Sequence, residues 1–297
     1  MIVILGAFGR TGRATTAHLE ALKQCPVRRV TRNAARTSVT SGHEVVQARL
    51  SDDLELSRVL KGARAVFAML PDDLRAESFR AERRVMAEAI ARAIRREGVR
   101  RVVLLSSAAA ALGENGQNGL GADLAYLERL VLNTTAAVSI LRASYFQDNV
   151  TEVLQGAAQD RVYPNFFSSR ETAIPTIATL DVGRFATQAL LEPAPCVHEI
   201  IDLVGPSYSV LDMATVAGEL IGGSLSVVDI PAAQQEQVLR QWMSAEAARA
   251  MVETLHCLGS GRILPQGQRT LHGETRLEQV LRAARPASAQ GAQQVLP

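Results

Sequence analysis

The run Gly6-Ala7-Phe8-Gly9-Arg10-Thr11-Gly12 sits directly behind the apolar stretch Ile2-Val3-Ile4-Leu5 and opens into a helical pattern. A short buried strand, a glycine turn and a helix N-terminus in that order are how a doubly wound α/β domain holds a dinucleotide. One glycine lets the chain turn sharply off the strand, one lets the backbone approach a pyrophosphate, and one packs helix against strand. The N–H groups of the first helical turn then face the phosphates, assisted by the helix dipole. The spacing is G-x-x-G-x-x-G rather than G-x-G-x-x-G, so the strands behind it must supply the rest of the argument.

They do so at regular intervals. Arg10 to about Gln24 predicts a first helix with Ala14, Ala17, Ala21 and Leu22 on one face, and Val27–Thr31 and Glu44–Ala48 predict strands two and three. A short helix over Asp53–Lys61 stops at Gly62, and a fourth strand, Ala65–Leu70, is closed by Pro71. The helix expected from about Ser78 to Glu97 repeats Met86, Ile90 and Ile94 every fourth residue. Val99–Leu105 is unbroken apolar sequence, as in a strand covered on both faces. Asp123–Asn133 reads as a helix and Val138–Arg142 as a sixth strand. Alternation of this kind predicts a parallel sheet with right-handed crossovers. The expected fold is α/β, a Rossmann-type doubly wound parallel sheet with a smaller C-terminal α/β substrate lobe.

After Tyr145 the rhythm breaks. A stretch rich in aromatic and polar residues runs to Pro175; helices are expected at Thr179–Glu192, Leu211–Gly222 and within Gln234–His256, and a strand at Ile200–Val204. The reading is a dinucleotide-binding core over residues 1–144, a smaller substrate or partner lobe over 145–283 that partly returns to the core sheet, and a disordered tail over 284–297, where Ala, Gln, Ser and Pro leave little to bury.

Composition narrows the function classes. A formal charge of +2 is too small for nucleic acid to be the main partner. The arginine groups Arg28-Arg29-Arg32 and Arg95-Arg96-Arg100-Arg101 carry no interleaved aromatic residues for stacking bases. No stretch approaches the ~20 apolar residues of a membrane span, and the apolar start is only a strand long, so no signal peptide is expected. Cys25, Cys196 and Cys257 are far apart, and the five histidines lack ligand spacing, so neither disulfides nor a metal is expected. These features predict a cytoplasmic chain whose partner is a small molecule.

Several landmarks together resemble the NmrA-like branch of the atypical short-chain dehydrogenases/reductases. Gly6 to Gly12 resembles the family's G-A-T-G-x-x-G with Phe8 in place of threonine, and Thr31-Arg32-Asn33 its V-R-N at the end of strand two. Leu60-Lys61-Gly62-Ala63 is similar to its A-L-x-G-x-D, and Arg101 to Ser107 to its R-V-V-x-x-S-S. Ser139-Ile140-Leu141-Arg142 with Phe146 and Asn149 resembles its T-x-L-R-x-x-x-F-x-x-N, and Asp181-Val182 the D-V that opens a later helix. The resemblance implies that Gly6, Ala7, Phe8, Gly9, Arg10, Thr11, Gly12, Arg32, Asn33, Met69, Leu70, Pro71 and Ser106 bind a dinucleotide. It also implies that Ser107, Tyr145, Phe146 and Asn149 border a substrate.

Arg32 bears on which dinucleotide. An NAD site places an acid about 20 residues beyond the glycines, to accept a hydrogen bond from the ribose 2′-OH. Arginine there suits a 2′-phosphate instead, so NADP (NADPH) is the expected cofactor. The catalytic pair is missing. Related reductases use Tyr-x-x-x-Lys, the tyrosine as proton donor. Counting back from Glu128, which fits the glutamate four residues beyond that lysine, puts Leu124 at the lysine position and Leu120 at the tyrosine position. Tyr126 falls on another helix face and reads as a packing or surface tyrosine.

Three readings follow. The first is an NADP(H)-dependent oxidoreductase that transfers hydride to a quinone-like or conjugated small molecule. Its product, a delocalised phenolate, needs little help from an acid. The second is a non-enzymatic NADP-binding redox-sensing regulator, and the third a reductase-like domain completed by a protein partner. A homodimer is left open. Trp242 and His256 are lesser candidates for the substrate lobe.

Overall fold

A computed structural model describes residues 1–23, 25–33, 35, 43–193, 197–261 and 263–284, the side chain of 155 excepted. Cys196 and positions 285–297 of the expected tail lie outside these residues. The first half runs β1 (Ile2–Ile4), α1 (Arg10–Leu22), β2 (Val27–Thr31), β3 (Glu44–Gln47), α2 (Asp53–Leu60), β4 (Ala65–Ala68) and α3 (Phe79–Arg96). It continues through β5 (Arg101–Ser107), α4 (Leu120–Leu132), β6 (Ala137–Ala143) and β7 (Tyr145–Phe146). The second half holds α5 (Val150–Asp160), β8 (Val162–Asn165), β9 (Ile174–Ile177), α6 (Thr179–Leu191), β10 (His198–Val204) and β11 (Ser207–Tyr208). It ends with α7 (Val210–Ile221), β12 (Ser226–Asp229), α8 (Ala232–Leu239), α9 (Ala245–Gly259), β13 (Arg269–His272) and α10 (Leu277–Ala284). Among the described residues, no helix is long and apolar enough to cross a membrane.

Eight strands form one parallel sheet in the order β13-β10-β6-β5-β4-β1-β2-β3. Alternate residues of β5 explain its unbroken apolar sequence. Val102 and Leu104 enter the core beneath α2, α3 and α4, whereas Val103 and Leu105 enter the core beneath α1 and α6. The strand order reverses between β1 and β4. Ligands of such sheets lie in the crevice outside the carboxyl ends of the strands at that point.

Several expectations need correction. Helix α1 ends at Leu22, because Lys23 turns left-handed at φ 51°. Its buried stripe is Thr11, Gly12, Thr15, Thr16 and Leu19; of the expected face Ala14 is half-buried against α6, whereas Ala17, Ala21 and Leu22 are exposed. Close packing against α6 decides the face: a Cβ on Gly183 would lie 2.5 Å from the Ala14 methyl and 2.7 Å from the Thr15 nitrogen. The buried threonine hydroxyls cost little, since Thr15 and Thr16 donate to the carbonyls of Thr11 and Gly12 at 2.9 and 2.7 Å. The expected helix within Gln234–His256 is two helices, α8 and α9, separated by the turn that carries Trp242. Ala284, placed in the tail by composition, is the last residue of α10.

The rhythm break after Tyr145 corresponds to short strands. β9 pairs with β7 and β11, β8 pairs with β12, and a third apolar cluster gathers Val150, Tyr163, Val210, Met213, Leu277 and Leu281. β10 and β13 return to the large sheet beside β6.

Candidate functional site

The glycine turn is built as its spacing implies. Gly6 sits at φ +67°, a conformation that disfavours any side chain, and the Gly9 N–H closes the turn on the Gly6 carbonyl at 3.0 Å. Gly12 is the packing glycine: a Cβ there would lie 2.2 Å from the Gly6 oxygen and 2.8 Å from the Ala7 Cα. Gly9 precedes α1 with extended backbone, and no side chain caps the helix. No acidic residue stands in its first turn, so the leading N–H groups are left to an outside anion. A Cβ on Gly9 would meet only the Gly6 oxygen, at 3.4 Å. Gly9→Val is therefore expected to fold normally and to lose dinucleotide binding, because its side chain takes the space of the pyrophosphate. Unchanged NADPH affinity in a titration of that variant would remove the site from this turn.

Two further loops meet the turn. Met69 follows β4, and its sulfur would lie 2.9 Å from a Cβ placed on Gly6, so the β1 and β4 loops touch across the switch point. Leu70 is buried in the core beneath α2–α4, and Pro71 carries the chain back to the surface. Phe8, Met69 and Phe146 stay half-buried, each packed against the apolar cluster beneath α1 and α6. Arg32 and Asn33 lie exposed past the end of β2, and Asn33 Oδ1 accepts from the Ala35 N–H at 3.1 Å. Arg10 pairs with Glu152 of α5 at 3.1 Å.

Other candidate side chains are engaged internally. The Ser106 hydroxyl donates to Glu128 at 2.5 Å, and Glu128 takes a two-pronged contact from Arg142 at 3.1 and 2.6 Å. Register explains the grouping, because Ser106 of β5 is paired with Arg142 of β6 and α4 carries Glu128 over that face. The Ser107 hydroxyl accepts from the Ala109 N–H at 3.2 Å and starts a 3-10 turn. Tyr145 and Phe146 point to opposite sides of β7, as neighbours in a strand must. Tyr145 packs edge-on against Phe167 at 5.4 Å, burial pushes its hydroxyl up to about 12, and Asn149 hydrogen-bonds to it.

The two leucines that the sequence reading set at the tyrosine and lysine positions pack into the protein. Leu120, the first residue of α4, packs with Phe79, Ala247 and Ala250 beneath α9, and its N–H donates to the Thr254 hydroxyl at 2.9 Å. Gly119 at φ +56° permits the contact, since a Cβ there would lie 1.9 Å from the Ala250 oxygen. Leu124 packs into the α2–α4 core. Tyr126 donates to Glu88 at 2.9 Å, with Arg84 and Arg129 over its ring at 4.9 and 5.1 Å, so it is a tether between α3 and α4. His256 is held by Gln235 at 2.8 Å, and Trp242 is exposed. A small crevice of about 30 Å³ lies beside Ser144 at the carboxyl ends of β6 and β10, with Arg142 and Asp202 on its polar side and Ile174, Leu258 and Leu264 on its apolar side.

Sequence reasoning missed Asp73, Asp148 and Glu152. Asp73 stands 3.9 Å from Arg32, and Asp148 caps α6 by accepting from the Thr179 N–H and hydroxyl at 2.8 and 2.6 Å. No periodic signal marks Asp73 in its loop or Asp148 in a single 3-10 turn, and Glu152 lies in α5, a helix the sequence reading did not predict; the Asp72-Asp73 pair directly after Pro71 offered a clue.

The family model for the NmrA-like family matches residues 1–264. The chain belongs to the NmrA-like family. Similar solved structures of this NmrA-like chain include an NADPH-dependent quinone oxidoreductase of Escherichia coli complexed with NADPH (TM-score 0.79, 17% identity, 96% of this chain and 99% of that one). Another is a nucleoside-diphosphate-sugar epimerase of Staphylococcus aureus (TM-score 0.79, 16% identity, 94% and 99%). A third is the triphenylmethane reductase of a Citrobacter species complexed with NADP(H) (TM-score 0.76, 17% identity, 96% and 99%). At these identities the likeness establishes the Rossmann-type fold. No curated protein sequence matches this chain significantly.

Proposed function

We propose that this NmrA-like chain is an NADP(H)-dependent oxidoreductase that reduces a quinone-like or conjugated small molecule. The observation that carries the reading is the uncapped, acid-free start of α1 behind Gly6 and Gly9, with Arg32 exposed beside it at the end of β2. The residues fit a dinucleotide: the turn leaves open space at Gly9, the helix offers N–H groups, and Arg32 offers a guanidinium to a 2′-phosphate. When bound, NADPH supplies the hydride. The chain's own part is to hold and orient it, with Phe8, Met69 and Phe146 offering apolar surface to a flat acceptor. No proton donor of the Tyr-Lys kind stands at Leu120 or Leu124, which suits acceptors that stabilise the charge they receive. The solved quinone and triphenylmethane reductases of the same fold, each complexed with its nicotinamide cofactor, support this class of acceptor.

A second reading, a non-enzymatic NADP-binding redox sensor, is favoured by the packing of Leu120 against α9 and the engagement of Ser106 by Glu128. Titration with NADPH, NADP, NADH and NAD, followed by a quinone challenge of the NADPH-bound protein, separates the two. Oxidation of bound NADPH supports the reductase; tight binding without oxidation of any acceptor supports the sensor. Arg32→Asp is expected to shift preference from NADP toward NAD by ~2 kcal/mol, the scale of a charge-assisted phosphate contact. An unmoved affinity ratio would show that Arg32 does not hold the 2′-phosphate.

A further inference from the structure

Arg32 and Asp73 face each other between the loops that follow β2 and β4. Arg32 follows β2 and Asp73 lies in the loop after β4, the two strands that flank β1 in the sheet. The contact therefore straddles the groove outside the glycine turn. Its two side chains remain 68% and 56% exposed at a separation of 3.9 Å, too loose and wet for the pair to serve stability. The preceding Asp72 is differently placed. Its carboxylate is held by Arg83, which is 2% exposed and also donates to Asp123 at 3.2 Å. That anchor fixes the loop and leaves Asp73 as the carboxylate at the rim.

Resting on the NADP(H) reading above, we infer that Asp73 is a specificity-determining residue that narrows the preference for NADP(H) over NAD(H). A 2′-phosphate seated on Arg32 brings about two negative charges within a few ångströms of the Asp73 carboxylate. That repulsion offsets part of what the guanidinium contributes. A bare ribose meets no such penalty, and its 2′-OH can donate to a carboxylate, the role an acid at the end of β2 has in NAD-type sites. Here β2 supplies the cation and the neighbouring loop supplies the acid, so opposed determinants share one rim. The chain accordingly accepts both dinucleotides, with a smaller bias toward NADP(H) than Arg32 alone would impose.

The test is a fluorescence titration of Asp73→Asn with NADPH and NADH at low salt, with the melting temperature as a folding control. Among the described residues Asp73 is exposed and makes this one ion pair, and its Oδ1 also accepts from the Arg75 N–H at 3.4 Å, a bond asparagine keeps, so the melting temperature is expected to be unchanged. NADPH should bind about three- to tenfold tighter, NADH should bind no tighter, and the NADPH gain should shrink in about 0.5 M salt as the field is screened. Equal changes for both dinucleotides, no change in their ratio, or a gain that persists in high salt would overturn the inference. If Arg32→Asp moves the ratio and Asp73→Asn does not, the inference fails and the NADP(H) reading stands. If the wild-type chain binds neither dinucleotide, both fall together.

Discussion

Glu128→Ala is expected to cost about 3–5 kcal/mol of folding stability, the penalty of stranding one member of a buried ion pair. The Glu128 and Arg142 side chains are 6% and 11% exposed, and Glu128 also accepts from the buried Ser106 hydroxyl. Removing the carboxylate leaves a guanidinium without its two-pronged partner and a serine without its acceptor. Double replacement by Glu128→Leu with Arg142→Met removes both charges together and should recover most of the loss, since a buried pair contributes little over an apolar pair of similar size. Denaturant unfolding of wild type, the single variant and the double variant checks this. If the single variant were as stable as wild type, the contact would be incidental. If the double were as unstable as the single, the cost would be volume and not charge.

Gly12→Val is expected to destabilise the chain by about 3 kcal/mol or more, with a fall in Tm on the order of 10 °C. The obstruction at Gly12 is backbone on both counts, the Gly6 oxygen at 2.2 Å and the Ala7 Cα at 2.8 Å, and neither can rotate aside. Strand β1 lies inside the sheet between β4 and β2, and α1 cannot lift from it without opening the core beneath α6. The comparison with Gly9→Val makes the result specific. Both change a glycine of one turn to valine, yet Gly9 faces open space and should keep its Tm. Equal Tm values for the two variants would contradict the division of labour between the glycines.

Much of the core was legible because its signals are local. Val102 to Leu105 needed no partner to read as a doubly covered strand, and Ile90 and Ile94 marked the buried face of α3. Helix α1 was misread because its buried face is chosen by what lies on it. Gly183, far along the chain, brings α6 so close that Thr11, Thr15 and Thr16 fit where larger residues would not. The later strands escaped for a different reason. β7, β8, β9, β11 and β12 are two to four residues long, too short to show a period, and β13 finds β10 only through the fold. At the site the pattern repeats. The glycine turn was readable from its spacing, whereas the contact of Arg32 with Asp73 exists only once the β2 and β4 loops are brought face to face.

The seam between α4 and α9 carries one more consequence. Gly119 and Leu120 are as much a part of that seam as Ala250 and Thr254, so writing tyrosine at 120 and lysine at 124 would drive a phenol between two helices instead of rebuilding a proton relay. The seam thus fixes what can be rebuilt at this end of α4: a larger side chain at 119 or 120 has to part α4 from α9 before it can serve any other purpose.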